Sequence, residues 1–594
     1  MPRISKNVQE INAIIQQDDL ASFVVNKYTS WRNTRVNWNE SMKELRNYVF
    51  QTDTSQTSNN KLPWKNKTSV PKICQIRDNL HANYMAALFP QDNWFKWHAG
   101  SEKAANRESA RKIEAYMRQK IRESNFKTVV SDCLYDYIDY GNSFGEVTYE
   151  TETHTTPDGT PVTVYNGPKL HRISPLDIYF DQSSESFKDA AKVTRTVVSM
   201  GSLVHAAAND AAFAWVDAAL ANSKQVRYDL KGYKDSDLDK SEGFTIDGFG
   251  NLSDYYSSDM VELLEYEGDT YDSNTGEVQT GRRVVVMDRR VVVVDEPNPS
   301  WLGRSNKEHV GWRLRPDNLM AMGPLDNLVG MQYRLDHLEN LKADVFDQIA
   351  HPVIFQRGMV EDWDWGPGER IFGDVDSMVT VLSPDTTALN AEFQMDKLMM
   401  NMEQLVGAPR EAMGIRTPGE KTAFEVAELQ NAAGRLFQHK ITYFEEHFIE
   451  PLLNQMLESA RRNINSIEVV ESLDEDYGLQ EFLSIGPKEL NSKGKLYPVG
   501  ARHFAKQAQT TQNLIGLIQS GVMQDPAVSA HISGFRLAKL LEENLGLDGY
   551  ELVVDNIRIT EQQKTQSLSN QAQDENVKEV AGRQLADEIQ QEPV

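Results

Sequence analysis

GPLDNLVGMQYRLDHLENLKADVFDQIAHPVIF, residues 323–355, sets the architecture. Apolar side chains fall at Leu328, Met331, Leu335, Leu338, Leu341 and Val345, a three-to-four spacing that predicts one long helix. Pro352 ends it, because proline offers no backbone N–H and disfavours helix in the residue before it. Residues 353–387 then read as mixed strand and loop, with EDWDWGPGERIFG at their tip. A second helical stretch, LNAEFQMDKLMMNMEQLVGAP, brings the chain back. Helix, small insert and returning helix together form an excursion that carries the insert away from the main body.

Upstream, residues 8–50 and 101–123 read as amphipathic helices, parted by the polar TDTSQTSNN and an aromatic-rich stretch from Lys61 to Trp97. A helix ends at Tyr140-Gly141-Asn142, where Gly and Asn tolerate the left-handed backbone, and FGEVTYE follows as a strand. Strands flank the turn TPDGT, 156–160, and KLHRISPLDIYFD bends at Ser174-Pro175. A second meander runs from MVELLEYEGD through DSNTG into RRVVVMDRRVVVVDEPNP, where Asp288-Arg289 marks a tight hairpin. Residues 205–258 read as a helix followed by loops.

Downstream, TAFEVAELQNAAGRLFQHKITYFEEHFIEPLLNQMLESARR is another long helix. Thr422 and Glu425 make a capping box at its start, and Phe424, Leu429, Leu436, Ile441, Phe444 and Phe448 form its apolar stripe. From Thr422 to Glu450 it would span roughly 43 Å, with a kink at Pro451. Further helices are expected near 502–522 and 534–545, before a polar segment after Thr560.

The 594 residues carry a formal charge of −25, opposite to the basic footprint that tight nucleic-acid binding requires and unsuited to an anionic membrane surface. Two cysteines, Cys74 and Cys133, cannot build a disulfide framework and are expected to be reduced core thiols. Apolar runs stay short of the ~18 residues of a membrane span, and the start lacks a secretory segment. A soluble protein made in the cytoplasm is expected.

Motifs for catalysis fail on inspection. GIRTPGEKT, 414–422, approaches a phosphate loop, but Glu420 separates Gly419 from Lys421 and puts a carboxylate where a triphosphate would lie. The acidic DSDLDKSEG has Lys240 where a calcium loop needs glycine and Ile246 where it needs a bidentate acid. The histidines lack the i, i+4 pairing of a zinc site, and Glu361, Asp362 and Asp364 read as exposed acids in a turn. No catalytic residue, metal or cofactor is expected.

Taken in order, NKTSVPKICQIRDNLHANYMAALFP, DYGNSFGEV, LHRISPLDIYFD, the 323–405 excursion and GAPREAMGIRTPGEKTAFEVAELQNAAGRLFQHKITYFEEHFIEPLL resemble the portal, or head-to-tail connector, proteins of short-tailed bacteriophages. The resemblance runs over roughly residues 20–550. It implies an α+β, mostly helical, multi-domain fold: a wing over 1–322, a first stem helix over 323–350 and a clip over 351–387. A second stem helix over 388–405, a tunnel loop over 406–421, a wing helix and return over 422–500 and a crown over 501–594 would follow.

It further implies a homo-oligomeric ring, usually a dodecamer, at one capsid vertex of the virion, with double-stranded DNA passing through its channel. Partners would be the major capsid and scaffolding proteins, the terminase large subunit and tail adaptor proteins, with no membrane and no enzymatic activity. Arg410, Arg416, Glu420 and Lys421 are the expected DNA-channel residues, and Trp363, Trp365 and Arg370 the expected partner contacts of the clip. The competing readings are a packaging-associated ATPase or metal-dependent nuclease, and a ring-forming adaptor that is not a portal.

Overall fold

The computed structural model describes residues 18–50, 66, 68–90, 94–99, 107–156, 158, 161–209, 216, 260–271, 278–298, 300–301, 304–363, 370–382, 391–407, 436–473 and 480–500. Helix and strand are both abundant in it. The expected 8–50 helix appears, in its described part, as two: α1 (Asp18–Thr34) and α2 (Val36–Phe50). Arg35 sits at their junction, buried, and donates to the carbonyls of Pro175, Leu176 and Ile178 at 2.9, 2.7 and 2.7 Å.

Helix α3 (Lys72–Leu88), strand β1 (Phe95–Ala99), and helices α4 (Arg107–Glu123) and α5 (Phe126–Asp139) come next. Gly141 turns the chain at φ +67° into β2 (Asn142–Thr155), as the sequence leads one to expect. A Cβ at Gly141 would lie 2.4 Å from the backbone nitrogen of Gly323, so this glycine also permits close approach of the segment entering the excursion.

Strand β2 pairs with β3 (Pro161–Ile173) and with β9 (Lys307–Gly311) in a three-stranded antiparallel sheet. A five-stranded antiparallel sheet is formed in sequence order by β4 (Ile178–Phe180), β5 (Lys192–Ser199), β6 (Met260–Tyr271), β7 (Val278–Met287) and β8 (Val291–Pro297). The hairpin between β7 and β8 turns at Asp288 and Arg289, both at positive φ (46° and 61°), the geometry that matches the twist of the flanking strands. The valine runs do not alternate with polar residues because both faces are covered. Val284 and Val286 pack with Val24 and Tyr28 of α1, whereas Val285 and Met287 pack with Leu203 of α6 (Met200–Asn209).

After the hairpin β10 (Arg313–Arg315) and β11 (Asn318–Met322) comes the excursion: α7 (Val329–Ala350), strands β12 (Val353–Arg357) and β13 (Met378–Leu382), and α8 (Glu392–Val406). The second stem helix was expected to end at 405; it ends one residue later, capped by Gly407 at φ +76°. The later helix is described from residue 436. At the expected kink it widens into a π-turn over Glu445–Ile449, then continues as α9 (Glu450–Asn463). Pro451 lacks the N–H for the α-helical ladder, and the wider turn absorbs the mismatch. Strands β14 (Glu468–Leu473) and β15 (Gln480–Ile485), the short α10 (Pro487–Leu490) and β16 (Gly494–Pro498), which pairs with β1, complete the described chain.

The main core gathers α2 to α5, β1, β16 and α9, with Phe126, Tyr137, Phe444 and Leu452 all fully buried. Cys133 lies in this core, but Cys74 is half-exposed on α3, so only one of the two thiols is a core group; both are free.

Candidate interaction surface

The excursion begins from the main core, in which Leu325 and Leu328 are buried. Farther along, α7 and α8 share a small core of Leu335, Leu338, Ala391 and Met395, against which Val70 packs. Lys342 on α7 pairs with Glu392 on α8 at 2.8 Å. Such a narrow apolar seam would fix the pair weakly on its own; polar contacts from residues 66–72 supply the rest.

That segment lies along α7 and bonds to side chains spaced four residues apart. Asp336 accepts from the Val70 amide and the Ser69 hydroxyl, both at 2.9 Å. Asn340 accepts from the Thr68 amide at 2.7 Å and donates to the Thr68 carbonyl at 2.9 Å. Asp344 accepts from the Asn66 amide (2.9 Å) and side chain (2.7 Å), and Asp347 also accepts from that side chain (3.0 Å). Gln332 donates to the Val70 carbonyl and to Asp336. Immediately beyond, Lys72 forms a buried ion pair with Glu403 of α8 at 2.5 Å. One short segment therefore grips both helices.

The two helices carry the hairpin β12–β13, paired from Val353↔Leu382 to Arg357↔Met378. Gly358, at φ +87°, leads into a further bridge between Val360 and Gly373, and the Glu361 amide donates to the Phe372 carbonyl at 3.0 Å. Among the described residues neither face of this ribbon is covered. Val353 (66%), Phe355 (52%), Met378 (57%) and Leu382 (53%) are exposed on one face, and Ile354 and Val381 on the other. More than half of the large apolar side chains exposed among the described residues lie between Phe346 and Leu405. A two-stranded ribbon is marginal in water unless a third strand or another element covers it, and a patch of this kind marks a contact surface.

Of the expected clip contacts, Arg370 is exposed, Trp363 is half-buried and Trp365 lies outside the described residues. The protruding apolar groups are Met359, Phe372 and Val375. For the uncovered strands themselves a faint signal is the departure of VIFQR and MVTVL from strict apolar–polar alternation; Met359, Phe372 and Val375 have no such pattern around them. Arg410, Arg416, Glu420 and Lys421 lie outside the described residues.

A second constellation, invisible in the sequence, lies where the two larger sheets meet. Glu146 of β2 and Glu265 and Glu267 of β6 bring carboxylate oxygens within 4.8 Å of one another, a spacing that could hold a metal ion. Lys307 of β9 already places its ammonium among them, at 3.8, 3.3 and 2.6 Å respectively, and is fully buried. Arg283 adds bonds to Glu265 (2.5 Å) and Glu296 (2.7 Å). Burial opposes charge on Glu265, but Lys307 and Arg283 outweigh it and hold that carboxyl at about 2. Lys307 is pushed well above the ordinary lysine range, burial notwithstanding, by the carboxylates around it. The cluster is an internal salt that joins β2 and β9 to β6 and β7.

Two neighbours respond differently. Lys192 is lowered to about 8 by burial, with Glu267 opposing and Lys307 reinforcing the shift; it donates to the Phe187 carbonyl at 2.9 Å. His309, half-buried and stacked on Phe144, is lowered to about 3 by desolvation of its ring, and its Nε2–H donates to Asn142 Oδ1 at 3.0 Å.

The chain matches no known protein-family model and no curated protein sequence. Among the described residues no helix is long and apolar enough to cross a membrane.

Proposed function

We propose that this chain is a portal subunit of a short-tailed bacteriophage, assembling into a ring at one capsid vertex through which DNA is packaged and ejected. The observation that carries this reading is the uncovered β12–β13 ribbon held out on α7 and α8. Its apolar strands carry one charge, Arg357, so like-charge repulsion against the same strands of a second copy is small. Burying a large apolar side chain stabilises by about 1.5–3 kcal/mol, and several such groups per subunit suffice to favour association.

The acidic balance suits a conduit that must not retain a polyanion. Residues Arg410, Arg416, Glu420 and Lys421 would meet DNA in passing, and terminase, adaptor, capsid and scaffolding proteins would be the other partners. The chain would carry no catalytic centre of its own. A nuclease reading would call on the Glu146–Glu265–Glu267 group, among whose carboxylates the Lys307 ammonium already sits.

Mass measurement and negative-stain imaging of the purified chain test the proposal. A ring of about twelve copies with an axial hole is expected, as in the family resembled. Phe355→Ser with Leu382→Ser should weaken that ring. A wild-type chain that stays monomeric at micromolar concentration, or hydrolyses nucleotide or DNA with magnesium, would overturn it.

A further inference from the structure

We infer that the far end of the β12–β13 ribbon docks a protein whose surface presents an apolar pocket rimmed by basic side chains. Val375 is fully exposed (104%), Met359 nearly so (81%), and Phe372 is 60% exposed; all three lie beyond the paired strands. Apolar groups this exposed, gathered at one end of a projecting element, form the core of a contact. The charges around them select the occupant. Among the described residues, Glu361, Asp362, Asp374 and Asp376 are exposed there against the single cation Arg370, whereas the strands nearer the helices carry Arg357 and no acid.

The ribbon is thus divided into a base with one cation and no acid, and an acidic end. Equivalent ends of two copies would repel each other, so a second copy fits the base and not the end. DNA and anionic lipid surfaces are excluded by the same sign. A basic protein surface satisfies both the apolar groups and the carboxylates, and the charge would steer its approach. This inference rests on the portal reading proposed above, in which the clip meets other proteins, and it adds the chemistry of the partner and the part of the ribbon that meets it.

The test uses the full chain and two labelled 16-residue amphipathic peptides, one of leucine and lysine and one of leucine and glutamate, followed by fluorescence anisotropy. Glu361→Gln, Asp362→Asn, Asp374→Asn and Asp376→Asn combined should weaken binding of the lysine peptide at least tenfold. A control neutralising four exposed acids elsewhere, Glu40, Glu185, Asp317 and Glu471, should change it less than twofold. Met359→Ser, Phe372→Ser and Val375→Ser combined should weaken it at least fivefold. Equal losses in the two neutralised chains would mean that binding follows net charge, and the inference falls. It falls also if the glutamate peptide binds as tightly. Mass measurement on each variant keeps the questions apart: loss of the ring in the wild type sinks the portal reading, whereas an intact ring with no end-specific binding sinks only this one.

Discussion

Asn340→Ala should loosen residues 66–70 from α7 without unfolding the sheets. Asn340 is 1% exposed, and its amide both accepts from and donates to Thr68, at 2.7 and 2.9 Å. Alanine leaves the Thr68 N–H and C=O without those partners. A buried polar group left unmade costs about 1–3 kcal/mol. Thr68 itself is exposed, so water recovers much of that, and a total of about 1 kcal/mol is the reasonable sum. At 1.4 kcal/mol per tenfold, this corresponds to roughly a fivefold rise in amide exchange at 68–70, provided the segment opens locally. Hydrogen exchange read by mass spectrometry would resolve it, with β7 and β8 as the internal reference. Unchanged protection at 68–70 would refute the reasoning. So would an equal loss across the five-stranded sheet, because the ladder would then be inseparable from the global fold.

Three further outcomes follow from buried or half-buried groups. Lys192 titrates near 8 in the folded chain against an ordinary 10.5, so between these values the unfolded chain holds a proton that the folded chain has released. Stability should therefore rise with pH across that window, by up to about 3 kcal/mol; in urea unfolding, a wild-type-minus-Lys192→Met difference that stays flat from pH 8 to 10 would exclude this. His309 shifts from 6.5 to about 3, so its contribution is present above 6.5 and lost as the pH falls towards 3. His309→Gln should accordingly remove about 4 kcal/mol of acid sensitivity between pH 6.5 and 3.5, seen as a shallower fall of stability with acid than in the wild type. Gly141→Ala meets both a positive φ and a backbone 2.4 Å away, and should cost more than about 2 kcal/mol; calorimetry showing a Tm within one degree of wild type would contradict it.

Local patterns made much of the fold legible. The 3.6 period located α7, the Tyr140-Gly141-Asn142 stop located the start of β2, and Asp288-Arg289 located the β7–β8 turn. Each depends on neighbours in sequence. Long-range pairings were not legible, because one chain gives no sign of which polar residue meets which. Asp336, Asn340 and Asp344 read simply as the polar face of an amphipathic helix, yet they hold residues more than 260 positions away. The salt cluster at Lys307 draws on four strands, and none of its members is unusual in its own segment. At the candidate surface the tryptophans drew the eye because of residue type. Exposure instead fell on Met359, Phe372 and Val375, and it depends on what the fold leaves uncovered.

The ladder on α7 repeats with the helix, each rung four residues and about 6.0 Å beyond the last. The Val70 amide meets Asp336, the Thr68 amide meets Asn340 and the Asn66 amide meets Asp344. The Asn66 side chain then reaches both Asp344 and Asp347. Three rungs satisfied together give the alignment a single best setting. Helix α7 is therefore not only held against residues 66–70 but indexed by them, and the ribbon it carries inherits that index.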